Sequence, residues 1–197
     1  MSYCRYRFRL YPNKEQEVEI EKMFGCARFV FNYFLERRIL EYKEYIKTLN
    51  YYECASLLRP LKAEYPWLKD ADSTSLQWAL KNLEDSFSRF LACNHEFTRQ
   101  GFPKYKTKKR NRQSYTSSNN SNGIRIEGNY IRFPKVGMIR FSRSKDVHGR
   151  ITHATIVKLP SGKYYVSVCC TDVEINPLPK TDAVVGVDLG IKDLAIT

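Results

Sequence analysis

The spacing of apolar positions changes character partway along this chain. Between Tyr3 and Leu10, the residues Tyr6, Phe8 and Leu10 alternate with Arg5, Arg7 and Arg9. That period of two predicts a strand with one buried face and one basic face. Pro12-Asn13 interrupts it, and Asn13 with Gln16 makes a capping box that opens a helix. The helix carries Val18, Ile20, Met23 and Phe24 as far as Gly25, where a break is expected. A second helix, from about Ala27 into the 40s, is expected to bury Val30, Phe31, Phe34 and Leu35. Helix, glycine and helix suit a helix-turn-helix, although any helical hairpin has the same pattern. A third helix is expected over residues 53–64, ended by Tyr65-Pro66-Trp67. The clearest helix is capped by Asp72 or Ser73. There Leu76, Leu80, Leu83, Phe87, Phe90 and Leu91 keep helical spacing, with Gln77, Lys81 and Arg89 on the other face.

Beyond His95 the pattern becomes that of short strands. Residues 101–115 form a basic segment with interleaved aromatics, and Thr116 to Gly123 read as a loop. Strands are expected around 124–126, 130–133, 138–142, 151–158 and 163–170, the last two joined by a turn at Pro160-Ser-Gly162. Pairing of the first strand with these later ones predicts an α+β fold, a small β-barrel interrupted by a helical insert. Pro177 to Asp182 reads as a stiff linker. After it, Val184–Val187 is a short strand with Asp188 at its end, Gly190 allows a tight turn, and Leu194–Thr197 starts another strand.

Composition narrows the partners. With 43% hydrophobic residues the 197-residue chain has enough apolar material for real cores. No apolar run approaches the roughly 20 residues of a membrane span, and the charged N-terminus lacks the apolar stretch of a signal peptide. A cytosolic protein, with no membrane partner, is expected. Six cysteines are scattered without a C-x-x-C pair, which predicts reduced thiols and no zinc site. The net charge is +12, and it is segregated. Fourteen Lys/Arg and two acids lie between Phe97 and Arg150, so this block alone accounts for the whole excess. Such a block points to a polyanion, most naturally nucleic acid.

The candidate chemistry follows from that block. Lys104, Lys106, Lys108, Lys109, Arg110 and Arg112 are suited to neutralise phosphates and release counterions. Phe102, Tyr105 and Tyr115 are suited to stack on unpaired bases, and Arg125, Arg132, Lys135, Arg140 and Arg143 extend the positive field. Asp188 has three readings: a turn aspartate, the first carboxylate of a ribonuclease H-like nuclease, or the D-x-G of an actin-like ATPase hairpin. Spacing does not separate them, but a basic region ahead of the hairpin favours the nuclease. His95, His148 and His153 show no metal-site spacing, and no Walker A loop or G-x-G-x-x-G occurs.

Six blocks in order carry a resemblance. They are Tyr6-Arg-Phe-Arg-Leu-Tyr-Pro12, Phe24-Gly-Cys-Ala-Arg-Phe-Val-Phe-Asn32, Ser75-Leu-Gln-Trp-Ala-Leu80, Gly101-Phe-Pro-Lys-Tyr-Lys106, Leu159-Pro-Ser-Gly-Lys-Tyr-Tyr-Val166 and Val185-Gly-Val-Asp-Leu-Gly-Ile-Lys-Asp193. Together they resemble the N-terminal half of TnpB, the OrfB-type family of insertion-sequence proteins related to type V CRISPR effectors. The resemblance implies an RNA-guided DNA endonuclease with guide RNA and target DNA as partners. It implies a first wedge strand over 1–11, a helical recognition insert over 12–96, a wedge β-barrel over 97–176, a linker over 177–183 and the start of a RuvC domain over 184–197. Asp188 becomes the first of three RuvC ligands for Mg2+ or Mn2+, and Gln77 a reader of target-adjacent DNA, a role suited to an amide facing adenine. The family's other two carboxylates and its zinc-ribbon cysteines lie beyond Thr197. The 197-residue chain is therefore expected to hold no metal stably, and to bind nucleic acid without cutting it. The alternatives are a nuclease-dead regulator and a helix-turn-helix transposase accessory protein.

Overall fold

The computed structural model describes residues 2–92, 101–109 and 112–174. The linker expected at 177–183, the hairpin bearing Asp188, and Arg110 lie outside the described residues. The first strand, β1 (Tyr3–Tyr11), buries Tyr6, Phe8 and Leu10, as its alternation predicts. It enters a seven-stranded antiparallel sheet with β2 (Gln113–Ser118), β3 (Arg125–Glu127), β4 (Tyr130–Phe133), β5 (Gly137–Phe141), β6 (Arg150–Lys158) and β7 (Tyr164–Thr171), in the order β2-β6-β7-β1-β5-β4-β3. The pairing of β1 with late strands is therefore real. It runs in register with β7 from Tyr3↔Thr171 to Leu10↔Tyr164, and its last residues also pair with β5 at Leu10↔Phe141. The β6–β7 hairpin turns where expected, with Gly162 in the left-handed region at φ 76° and its N–H donating to the Leu159 carbonyl.

The sheet curls over its own core. Its two edges, β2 and β3, are consecutive in sequence and joined only by residues 119–124. A connector that short spans at most about 24 Å, whereas seven flat strands would need about 29 Å. Accordingly the rings of Tyr115 on β2 and Phe133 on β4 lie 6.3 Å apart. No ladder joins β2 to β3 among the described residues, so the curled sheet is open at that seam.

Three expectations need correction. First, Gly25 does not break the chain. α1 (Lys14–Tyr45) is one 32-residue helix, started by the Asn13–Gln16 capping box and ended at Ile46, whose φ is 55°. An interior glycine costs a helix about 1 kcal/mol relative to alanine. Burial of Met23, Phe24, Cys26, Val30, Phe31, Phe34 and Leu35 along one helix outweighs that cost. The turn that a helix-turn-helix over 13–46 requires is thus absent. Second, the helix expected over 53–64 is two short ones, α2 (Tyr51–Ser56) and α3 (Leu58–Glu64), with α2 opened by an Asn50–Glu53 capping box. Third, residues 113–118 are a strand and not the end of a basic segment running into a loop. Their polar composition hides the pattern, and the strand forms because β6 supplies a ladder from Gln113↔Lys158 to Ser118↔His153.

α4 (Ser73–Ala92) buries Leu76, Leu80 and Leu83, while Leu91 is exposed. Its start is tied to β2 by a polar latch. Asp72 is buried, and its Oδ2 accepts from Thr74 Oγ1 at 2.6 Å and from Ser117 Oγ at 2.5 Å. The Ser118 N–H donates to Thr74 Oγ1 at 3.0 Å, and Trp78 Nε1 donates to Ser118 Oγ at 2.8 Å. The helical lobe and the sheet therefore share one continuous core. Among the described residues, no helix is long and apolar enough to cross a membrane.

Candidate nucleic-acid interface

The basic segment is laid across the helical lobe by three anchors. Asn32 on α1 uses both ends of its amide: Nδ2 donates to the Lys106 carbonyl and Oδ1 accepts from the Lys106 N–H, each at 2.8 Å. One side chain thus imitates a rung of β-ladder. Phe102 seats its ring against Phe87 and Phe90 of α4 at 5.5 and 5.4 Å. Gln113 accepts from Arg28 of α1 at 2.7 Å and donates to the Lys108 carbonyl at 2.9 Å. A segment this fixed holds its outward charges in a defined array, which lowers the entropy lost on binding.

The structure sorts the sequence-predicted residues by exposure. Lys104, Tyr105, Lys108, Lys109 and Arg112 face solvent. Lys106 turns inward, its ammonium 3.8 Å from the centre of the Phe31 ring, and burial lowers its pKa to about 8. Gln77 is exposed on α4. Near it Lys81 lies 4.7 Å over Trp78, and Trp78 packs on His153 at 4.8 Å. Burial, then Arg5 and Lys81, hold the pKa of His153 below its usual value, in line with positive charge converging there.

Tyr115 does not fit its expected role. It is 3% exposed, with its ring packed edge-on against Phe24 and Phe133, so no base reaches it. The cause is β2: once residues 113–118 pair with β6, the pleat sends Tyr115 and Ser117 inward together. Among the described residues, no group of three His, Cys, Asp or Glu side chains is placed to hold a metal, and the five described cysteines are free thiols.

The fold also assembles a surface that the linear charge map missed. Arg7 lies 4.7 Å over the Tyr165 ring of β7, while Arg9 lies 5.3 Å from Tyr165 and 5.6 Å from Tyr11. Register then sets Tyr11 opposite Arg140, and Arg140 opposite Tyr130. The result is a cross-strand array of arginine and tyrosine on the outer face of the sheet. The alternating arginines of β1 were its one signal in the sequence, and their tyrosine neighbours come from strands far along the chain.

Fold and charge together define an α+β protein whose helical lobe and curled sheet share one core and present basic faces. Residues 1–47 match the OrfB-type insertion-sequence family described as a helix-turn-helix domain. In this chain that span holds β1 and the unbroken α1. The chain is 32% identical, over 96% of its length, to a putative RNA-guided DNA endonuclease of Streptomyces pristinaespiralis. It is 31% identical, again over 96%, to the putative RNA-guided DNA endonuclease InsQ of Escherichia coli K12. It is also 30% identical to virulence protein VsdF of Salmonella dublin, over 50% of this chain and 88% of that protein. The chain belongs to the TnpB, or OrfB-type, family of insertion-sequence proteins. It spans about half, 46%, of the length of the two endonuclease relatives.

Proposed function

We propose that this chain is the nucleic-acid-gripping portion of an RNA-guided DNA endonuclease, holding guide RNA and target DNA between its helical lobe and curled sheet. The observation that carries this reading is the anchored basic segment. Asn32, Phe102 and Gln113 fix its backbone while Lys104, Lys108, Lys109 and Arg112 point outward. A merely solvated charge run needs no such anchors. On this reading the curled sheet is the wedge and the helices are the recognition lobe, with Gln77 on the DNA-reading face of α4. Asp188 is the first RuvC ligand for Mg2+ or Mn2+.

The test is a salt titration. Neutralising Lys104, Lys108, Lys109 and Arg112 together to Gln is expected to weaken binding of structured RNA by about tenfold or more at 100 mM salt. It should also flatten the plot of log K against log salt by about three units, since each lost phosphate contact removes roughly 0.7–0.9. Unchanged affinity with an unchanged slope would show that the charge is only solvated. A second arm concerns cutting. With Mg2+ present, the purified 197-residue chain is expected to shift DNA and RNA in gels without nicking either. Metal-dependent cutting that disappears in Asp188→Ala would refute the expectation.

A further inference from the structure

We propose that the cleft between α1, α4 and β2 is a socket for a single phosphate group. The inference rests on the nucleic-acid reading above and gives it one particular contact. The cleft is lined by Arg28 of α1, Asn82 of α4, Lys106 and Arg112 of the basic segment, and Tyr115 of β2. Among the described residues, no acidic side chain lines it.

One observation says that this cleft lacks a partner, and it is Lys106. The buried cation Arg38 is paired with Glu84, and the partly buried Lys158 with Glu21 at 2.6 Å. Lys106 is also withdrawn from solvent, yet it meets a phenyl ring and no carboxylate among the described residues. A desolvated cation without an anion is costly, and an incoming phosphate offsets that cost. Arg28 is already oriented, because one of its nitrogens is held by Gln113 at 2.7 Å. Arg112 stands at the exposed side.

The charged residues that line the cleft beside Lys106 are Arg28 and Arg112, while the described residues of α4 and β2 that line it are neutral. Lys106 is the group of this cleft that burial brings toward neutrality. Its lowered value, about 8, makes phosphate binding weaken as pH rises from 7 to 9.

The test uses the whole chain with a 12-nucleotide oligothymidylate, whose diesters stay anionic throughout that range, and with inorganic phosphate as a separate probe. Wild type is expected to lose about tenfold in oligothymidylate affinity between pH 7 and 9. Lys106→Arg should bind with no such pH slope. Lys106→Met and Arg28→Gln should each weaken binding about tenfold at pH 7. Oligothymidylate binding that is independent of pH and unaffected by these changes overturns the socket and leaves the broader reading standing. Binding of inorganic phosphate through Arg28 and Lys106, without oligothymidylate binding, keeps the socket and overturns the nucleic-acid reading. Binding of neither probe overturns both.

Discussion

Glu84→Leu is expected to destabilise the chain by about 3 kcal/mol, the low end of the range for breaking a buried pair because Glu84 is 35% exposed. Its partner, Arg38 of α1, is 7% exposed and donates through Nη2 to Glu84 Oε2 on α4. The guanidinium also lies 5.0 Å from the Phe87 ring, and its Nε is buried without a hydrogen-bond partner among the described residues. Removing the carboxylate leaves a charge buried between two helices without its ion-pair partner. The double variant Arg38→Met, Glu84→Leu should regain most of the loss, since an apolar pair of similar volume suits the same gap. Urea unfolding of the single and double variants is the measurement. Equal midpoints for Glu84→Leu and the double variant would show that the pair does not hold the helical lobe together.

Phe8→Ala should cost more, about 3–5 kcal/mol, from lost transfer energy and the cavity left behind. Phe8 is 2% exposed on β1, its ring edge-on to Phe141 of β5 at 5.1 Å, with Val166 of β7 opposite it in register. It therefore packs where two halves of the sheet meet. At roughly 2–4 °C per kcal/mol for a chain of this size, the melting temperature should fall by about 6–20 °C. Phe8→Leu, which keeps most of the volume, should cost less than half as much. A fall below about 3 °C for Phe8→Ala would mean that the junction is held by its backbone ladder and that the ring contributes little.

These two residues differ in how far the sequence announces them. Phe8 is readable, because alternation with Arg7 and Arg9 marks the inward face of a strand. Glu84 is not. It reads as a surface acid of α4, and only the packing of α1 against α4 brings a buried arginine to it. Tyr115 shows the same limit. In the linear text it belongs to a basic, aromatic segment, yet the ladder with β6 turns it into the core, where its hydroxyl has no hydrogen-bond partner among the described residues. The exposed lysines of the interface were legible as a charge block, but the anchoring amide of Asn32 carries no such signature. Its partner is the backbone of residue 106, far along the chain.

What the sequence determined by itself is local and chemical. The capping box at Asn13, the alternation of β1, the spacing of α4, the turn at Gly162 and the segregated charge each depend on residues a few positions apart. Tertiary structure alone decided that α1 runs through Gly25, that 113–118 is a strand, and that Arg7 and Arg9 sit beside Tyr165. In each case a weak local preference met a long-range gain: a buried helix face outweighs one glycine, a free β6 edge recruits a polar strand, and β1 pairs with β7 across some 160 residues. Local propensities are small beside packing and ladder formation, so wherever they disagree the distant partner decides.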